Sequence, residues 1–201
     1  MAGIVKGTAC AVLMASGFSM RFGKDDKLLC PFRGKPIASY TLELACGMEE
    51  FSEIILVASD DKVAALSSGT RARVVRNGAP HRGVCESIRL GVTASEAEYF
   101  CFFPCDQPLM RAYVPRALLA HVAPGAIAEP VCGGIARSPS VFSGSFRDEL
   151  ASIPDGEGGS YVKKRHADAV VSVYFDDEPV FADIDTVNEL NRIEGVLPCT
   201  P

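Results

Sequence analysis

The chain of 201 residues lacks several features that would place it in a membrane or secreted class. No segment approaches the roughly 18 consecutive apolar residues that a membrane-spanning helix needs. The apolar run at residues 9–15 is too short for the core of a signal peptide followed by a cleavage site. No linker, repeat or low-complexity tract divides the sequence. We therefore expect one domain, residues 1–201, in the cytoplasm and without a membrane partner.

An excess of basic charge and a metal-binding cysteine pattern are also lacking. The net charge is −5, whereas a nucleic-acid-binding surface requires a concentrated basic face. The eight cysteines form no Cys-x-x-Cys pair and no Cys/His spacing typical of a zinc or iron–sulfur site. We expect reduced, mostly buried thiols, and no nucleic-acid partner.

The common nucleotide-binding loops are missing as well. A Walker loop requires Gly-Lys-Ser/Thr, but Lys24 is followed by Asp25, and no Gly-x-Gly-x-x-Gly occurs. This argues against a P-loop enzyme and against an oxidoreductase on a dinucleotide fold. No Gly-x-Ser-x-Gly elbow accompanies the three histidines, which argues against a serine hydrolase.

An apolar run does lead directly into small residues and then cations, over residues 12–27. Gly17 allows backbone amides to approach phosphate oxygens closely, and Ser19 adds a hydroxyl donor. Arg21 and Lys27 supply the positive charge that a triphosphate requires. The segment predicts a local phosphate site of a third kind, and the alternative is a plain strand end with solvated cations.

Short apolar runs alternate with helical patterns, as parallel strands joined by crossover helices do. Predicted strands cover residues 8–14, 54–57, 73–76 and 99–103, and predicted helices cover 39–46, 61–66, 84–92 and 112–121. Beyond residue 124 we predict strands at 126–131, 139–142 and 169–175, with helices at 146–153 and 159–165. The runs are apolar throughout, which is typical of strands covered on both faces. The pattern therefore predicts an α/β fold.

Carboxylates follow two of the apolar runs. Asp106 comes after the strand at 99–103, and Asp183 and Asp185 follow a second short apolar run before a helix. Ligands collect beyond the carboxyl ends of strands in open sheets. Two carboxylates there can hold one divalent cation, although Asp106 by itself is equally well explained as a helix cap.

Four motifs, in order along nearly the whole chain, resemble the MobA-like nucleotidyltransferases, and within them the molybdenum cofactor cytidylyltransferases. The motifs are Leu13-Met-Ala-Ser-Gly-Phe-Ser-Met-Arg-Phe-Gly23 with Lys27, Asn77 with Gly83, Ser87 and Gly91, Cys105-Asp-Gln-Pro-Leu109, and Asp183-Ile-Asp-Thr-Val-Asn-Glu-Leu190. Two departures stand out, since Ser16 replaces an Ala of the first motif and Cys105 replaces the Gly before Asp106. Both replacements are small, but a cysteine beside the site introduces an oxidisable group.

The resemblance implies a three-layer Rossmann-like nucleotidyltransferase fold with a mostly parallel mixed sheet. Residues of about 1–120 would bind the nucleotide and residues of about 121–201 the acceptor. Arg21, Lys27 and Asp106 would be catalytic, and Asp106 and Asp185 would hold Mg²⁺, with Asp183 as the alternative ligand. The implied nucleotide-binding residues are Ala15, Ser16, Gly17, Ser19, Arg21, Lys27, Asn77, Gly83 and Ser87.

The implied reaction is nucleotidyl transfer from CTP to molybdopterin or its molybdenum form, with release of pyrophosphate. Such chemistry relies on positioning and charge neutralisation. Arg82 and Arg89 could serve a phosphate of the acceptor, or be ordinary surface arginines. The alternatives are transfer from GTP, another small phosphorylated acceptor, or a non-catalytic carrier of the molybdenum cofactor. A molybdenum hydroxylase that receives the product is a possible partner.

Overall fold

The computed structural model describes residues 9–17 and 26–196 of the chain. The strands are β1 (Ala9–Ala15), β2 (Pro31–Phe32), β3 (Lys35–Pro36), β4 (Phe51–Ala58), β5 (Arg73–Arg76), β6 (Tyr99–Pro104), β7 (Ile127–Cys132), β8 (Ile135–Ala136), β9 (Ser140–Ser143) and β10 (Val170–Phe175). The α-helices are α1 (Ile37–Cys46), α2 (Asp61–Ala65), α3 (Val84–Thr93), α4 (Tyr113–His121), α5 (Arg147–Ala151), α6 (Gly159–Arg165) and α7 (Val187–Val196).

One mixed sheet organises the described chain, with the strand order β10-β7-β9-β6-β1-β4-β5 and β8 beside β7. The neighbours β6, β1, β4 and β5 run parallel, as do β7 and β10. Strand β9 runs antiparallel to both β6 and β7, so it joins the two parallel groups. The prediction of a mostly parallel mixed sheet is confirmed.

Helices cover both faces of the sheet. Alternate residues of β1 point to opposite faces, so each face of this strand packs against a different set of helices. Ala11 and Leu13 are buried in a core with side chains of α1, α2 and α4. Cys10 and Val12 are buried in a second core with side chains of α3, α5 and α6. The sheet is thus the middle of three layers, and both cores explain why the strand is apolar throughout. In the described residues no helix is long and apolar enough to cross a membrane.

The predicted elements differ from the observed ones mainly at their ends. Strand β4 begins at Phe51, earlier than predicted, because the polar residues Ser52 and Glu53 interrupt the apolar pattern. Ser52 nevertheless belongs to the strand, and its hydroxyl donates to the carbonyl oxygen of Ala9 (3.2 Å). Strand β10 lies at the sheet edge, and Tyr174 on it is 77% exposed, so it is not covered on both faces.

Gly91 lets helix α3 pack closely on strand β1. A Cβ atom at this position would lie 2.4 Å from Cγ1 and 2.9 Å from Cγ2 of Val12, whose side chain is fully buried. We expect Gly91→Ala to lower the free energy of unfolding by about 1–3 kcal/mol, because a well-packed core resists added volume. Urea denaturation followed by circular dichroism would measure the change.

A matched control and a compensating variant make this prediction specific. A Cβ at Gly195 in α7 would meet nothing within 4 Å, so Gly195→Ala should cause no loss of stability. Trimming Val12 to Ala in the Gly91→Ala background should recover part of the loss. An equal loss in both glycine variants would contradict the proposed close contact.

Candidate active site

The candidate site lies at the carboxyl ends of the central parallel strands. Asp106 follows β6, and Lys27 belongs to a short turn of helix, Lys27–Leu29, between β1 and β2. Asp183 and Asp185 lie in the segment before α7. The fold therefore brings together residues that are up to 158 positions apart in the sequence.

Lys27 joins the two carboxylates that the sequence singled out as metal ligands. Its Nζ lies 2.6 Å from Oδ2 of Asp106 and 2.7 Å from Oδ1 of Asp185. The Lys27 side chain is only 15% exposed, whereas that of Asp185 is 47% exposed. Burial alone would lower the pKa of the Lys27 ammonium, but the two carboxylates outweigh it and hold that pKa above its ordinary value. Lys27 is therefore a firmly charged cation.

Local sequence positions Lys27. The carboxylate of Asp26 accepts a hydrogen bond from the backbone N–H of Leu28 (2.9 Å) and so caps the short helical turn. The Leu28 side chain is buried in the core beneath β1. Because its neighbour is anchored inward, Lys27 is held at the rim of the sheet.

Asp185 is positioned by a capping box at the start of α7. The Thr186 hydroxyl accepts from the backbone N–H of Glu189 (3.2 Å), and the Glu189 carboxylate accepts from the backbone N–H of Asp185 (2.8 Å). The sequence analysis missed this role of Glu189. The signal was available, since Thr-x-x-Glu before a helix is the sequence signature of a capping box.

Asp183 and Asp185 have different surroundings. Gln107 donates from Nε2 to Oδ1 of Asp183 (2.9 Å), and the backbone N–H of Ile184 donates to the carbonyl oxygen of Asp106 (3.0 Å). Burial and the nearby charge of Asp106 raise the pKa of Asp183, while the hydrogen bond from Gln107 opposes the rise. Asp185, rather than Asp183, shares Lys27 with Asp106. The sequence analysis did not predict this role of Gln107, because a glutamine directly after an aspartate belongs to no motif whose spacing indicates a hydrogen bond to a distant carboxylate.

The residues at this rim fit a divalent cation. Among the described residues, Oδ1 of Asp106 is buried without a hydrogen-bond partner, which leaves an acceptor oxygen for a cation. The described part of the chain contains no group of three or more His, Cys, Asp and Glu side chains arranged to hold a metal. Mg²⁺ commonly takes one or two carboxylates and completes its shell with substrate phosphates and water. Asp106 and Asp185 would hold it here.

Four of the predicted nucleotide-binding residues, Ala15, Ser16, Gly17 and Asn77, lie at the ends of β1 and β5, with β4 between these strands. Ala15 pairs with Ala58 of β4, and the backbone N–H of Asn77 donates to the carbonyl oxygen of Ala58 (3.0 Å). The Ser16 hydroxyl points inward and donates to the carbonyl oxygen of Val57 (2.9 Å). Side-chain contact from Ser16 to a phosphate is therefore not part of the described geometry. Within the part of the chain that the structure describes, a Cβ at Gly17 would meet nothing within 4 Å, and Gly17 is exposed.

Asn77 carries an unused donor. Its side chain is buried, and Oδ1 accepts from the backbone N–H of Ala79 (2.9 Å). Nδ2 has no partner in the part of the chain that the structure describes. A buried amide donor that lacks a partner is costly unless a ligand satisfies it.

Other predicted residues have varied outcomes. Gly83 precedes α3 with φ +93°, a conformation that favours glycine, and Ser87 is buried on that helix. Ser19 and Arg21 lie outside the described residues. Cys105 is buried in the core, and burial raises the pKa of its thiol, so it does not present the exposed oxidisable group that was considered.

Arg82 and Arg89 contact the end of α5 and the segment between α5 and α6. Arg82 Nε lies 2.9 Å from Oδ1 of Asp155. Arg89 donates to the carbonyl oxygens of Ala151 (3.0 Å) and Ile153 (2.9 Å). Because these guanidinium groups are engaged by the chain, the contacts favour the alternative of structural arginines, and the phosphate role stays a prediction.

A cavity of about 640 Å³ opens beside the carboxylates. Asp106, Asp183 and Asp185 line it together with residues of β7, β9, α3 and α6. A second cavity, of about 650 Å³, shares Asp183, Asp185 and Arg137 with the first. Asp183 and Asp185 thus line both cavities, whereas Asp106 lines only the first.

A lysine and two carboxylates at the strand ends of an α/β sheet place fixed charges where ligands collect in such folds. The chain belongs to the family described as the MobA-like NTP transferase domain, whose model matches residues 11–190.

Known relatives align with this chain over nearly its whole length. The molybdenum cofactor guanylyltransferase of Cupriavidus pinatubonensis is 27% identical over 200 residues, covering 96% of this chain and 99% of its own. The nicotine blue oxidoreductase of Paenarthrobacter nicotinovorans is 28% identical, covering 90% of this chain and 94% of its own. Relatives within one family thus carry the names of different activities.

Solved structures share the fold. A nucleotidyl transferase from Methanothermobacter superposes with a TM-score of 0.81 at 19% identity, covering 94% of this chain and 96% of its own. A manganese complex of Rv0371c from Mycobacterium tuberculosis superposes with a TM-score of 0.69 at 21% identity, covering 94% of this chain and 100% of its own. These likenesses support the three-layer fold.

We expect Asp106→Asn to reduce turnover on the order of 100-fold or more, because the amide keeps the shape but loses the charge that faces Lys27 and a cation. Steady-state pyrophosphate release would measure the loss, and thermal unfolding would verify that the variant is folded. Asp61→Asn is the matched control, since that side chain is 89% exposed and lies at the start of α2. Wild-type rates in Asp106→Asn at saturating Mg²⁺ would reject the metal-binding role.

Lys27→Met should cost on the order of 2–4 kcal/mol of transition-state stabilisation, the size of one lost preorganised charge donor. The ratio kcat/KM and kcat itself should both fall, measured with nucleotide and acceptor varied in turn. Lys35→Met is the control, because Lys35 pairs with Glu43 at an exposed position. A change confined to KM would reduce Lys27 to a binding role.

Proposed function

We propose that this protein transfers a guanylyl group from GTP to a molybdopterin-type acceptor and releases pyrophosphate. The observation that carries the proposal is the convergence of Lys27, Asp106 and Asp185 at the strand ends of a MobA-like fold. The choice of acceptor and donor is supported by relatives named molybdenum cofactor guanylyltransferase. The sequence motifs led us to expect CTP, and the relatives' names favour GTP instead.

The proposed reaction is a displacement at the α-phosphorus. An oxygen of the acceptor phosphate forms a new bond to that phosphorus, the bond to the bridging oxygen breaks, and pyrophosphate leaves with the electron pair. Negative charge builds on the leaving group, so the Lys27 ammonium would stabilise it. Bound Mg²⁺, held by Asp106 and Asp185, would neutralise phosphate charge. Arg21 and Ser19, which lie outside the described residues, stay predicted donors to the phosphates.

The two substrates would approach the carboxylates from different parts of the chain. The exposed Gly17 and the Nδ2 of Asn77, which has no partner among the described residues, support a nucleotide site formed by residues of about 1–120. The cavity beside Asp106 includes residues of β7, β9 and α6, which supports an acceptor site formed by residues of about 121–201.

Two other functions compete with the proposal. CTP would use the same charges, since Lys27 and the carboxylates act on phosphates and not on the base. A carrier without catalysis would have no need for a fully charged lysine between two carboxylates, because that pairing must be desolvated at a cost. The relative named nicotine blue oxidoreductase keeps the question of the acceptor open to experiment.

Pyrophosphate release from GTP, CTP and ATP, each with Mg²⁺ and with or without molybdopterin, would test the proposal. We expect acceptor-dependent release with GTP as the preferred donor, together with a guanylylated product detected by mass spectrometry. Preferential release from CTP would keep the chemistry and restore the cytidylyl interpretation. A folded protein that releases pyrophosphate from none of the three would favour the carrier.

A further inference from the structure

Three polar side chains form a connected cluster on the wall of the cavity beside Asp106. Nζ of Lys163 lies 2.7 Å from Oε2 of Glu129 and donates to Oγ of Ser140 (2.8 Å). Glu129 lies in β7, Ser140 in β9 and Lys163 in α6, and all three line the cavity. The side chains of Glu129 and Lys163 are only 13% and 19% exposed. No role in the reaction at Asp106 accounts for this cluster.

The ion pair between Glu129 and Lys163 has no net charge, but an acceptor oxygen and an N–H donor of the pair have no partner among the described residues. Within the described residues no group is hydrogen-bonded to the second carboxylate oxygen of Glu129, Oε1. The Lys163 ammonium has three donors, and the contacts to Glu129 and Ser140 account for two of them. A partly buried ion pair costs desolvation, and apolar residues in a strand would avoid that cost. An anion is disfavoured here because Glu129 lies beside the cation.

A neutral heterocycle with adjacent donor and acceptor atoms matches the acceptor oxygen of Glu129 and the third N–H donor of Lys163. Apolar side chains also line the cavity, and Val84, which is exposed, and Met14, which is partly buried, offer apolar surface to a flat ring. Ser140 pairs with Phe102 in the sheet, and Asp106 lies four residues beyond Phe102. At about 3.3 Å per extended residue along a strand and about 4.8 Å between strands, Ser140 lies within roughly 14 Å of Asp106, and Glu129, one strand farther, within roughly 16 Å. A fused-ring acceptor with a phosphorylated arm spans such a distance.

We propose that Glu129 and Lys163 recognise the 2-amino-4-oxo edge of a pterin. The Glu129 carboxylate accepts hydrogen bonds from the 2-amino group and the adjacent ring N–H, and the Lys163 ammonium donates to the 4-oxo oxygen. The inference rests on the proposed function, because it assumes that the acceptor carries a pterin. It adds the residues that select the acceptor, at a place separate from the reacting phosphate.

Gly159 allows the helix that carries Lys163 to reach this position. A Cβ atom at Gly159 would lie 3.1 Å from Cζ of Phe142, which is buried in the cavity wall. Gly159 and Lys163 are one helical turn apart, so they share a face of α6. The close approach of the helix start to Phe142 therefore holds Lys163 over β7 and β9.

Binding of two simple pteridines to the full chain tests the assignment. The probes are 6-hydroxymethylpterin and 6-hydroxymethyllumazine, in which an oxo group replaces the 2-amino group. Their own fluorescence reports binding, and the chain contains no tryptophan to interfere. We expect a preference for the pterin on the order of tenfold or more, because the 2-oxo group of the lumazine would face a carboxylate.

Substitutions separate recognition from a structural role. Glu129→Gln should reduce the preference to within about threefold, since the amide can donate to the 2-oxo group. Lys163→Met should weaken both pteridines and leave their ratio unchanged, because both carry the 4-oxo group. Lys163→Arg should retain most of the affinity and serves if the Met variant is unfolded.

Matched controls lie outside the cavity. Glu50→Gln breaks a comparable ion pair with Arg116 (2.6 Å), and Lys164→Met removes an exposed cation from the same helix. Both should bind the pteridines as the wild type does. Thermal unfolding of every variant identifies any that lose the fold.

The outcomes distinguish this inference from the proposed function. Equal binding of the two pteridines by the wild type, or an unchanged ratio in folded Glu129→Gln, overturns the inference even where transfer to molybdopterin is observed. A pterin preference that Glu129→Gln abolishes, in a protein that releases no pyrophosphate, upholds the inference and overturns the proposed transfer.

Discussion

The ammonium of Lys27, held between Asp106 and Asp185, is the contact on which the site depends. It ties together the turn after β1, the end of β6 and the segment before α7, which share no secondary structure. Removing one member would leave a partly buried charge without its partner, which is far more costly than the pair is stabilising. The buried Leu28 and the capping box of Glu189 keep two of the three members in place. The site is therefore built by the fold and does not rely on a substrate to assemble it.

Negative charge predominates among the described residues at this rim. Asp106, Asp183 and Asp185 can carry three negative charges, whereas the cations are Lys27, which is hydrogen-bonded to two of them, and Arg137, which lines the same cavities. The raised pKa of Asp183, caused by burial and by Asp106, reflects that excess. A divalent cation would restore neutrality, and the unpartnered oxygen of Asp106 offers it a ligand. Lys27 and a metal ion would thus act together at this site. The lysine holds two of the carboxylates in place, and the remaining negative charge would attract a second cation.

The sequence predicted most of the fold because both faces of the central strands are covered, which produces continuous apolar runs such as Val12 with its neighbours. It also predicted the carboxylates at strand ends, since topology alone places them at one rim. The Lys163 cluster escaped prediction, because its members are held together by sheet order and helix packing and not by spacing along the chain. The motifs did not decide between CTP and GTP as the donor, for a related reason. A single amide such as that of Asn77 can donate to a carbonyl oxygen of either cytosine or guanine, so the residue type does not specify the base.

Glu129 shows how a local conflict in the sequence can indicate function. Glutamate is disfavoured in strands, and a partly buried carboxylate requires a partner. Lys163 supplies that partner from a different layer, and Gly159 lets its helix come close enough to do so. Apolar residues at these positions would pack the same space without the cost of desolvation. A fold that keeps polar side chains despite this cost departs from the usual composition of a strand, and such departures are expected at functional sites. Under the two proposals, Lys27 and the carboxylates would carry out the transfer, and the wall of the cavity would select the acceptor, so a related chain could keep the first group of residues while changing the second.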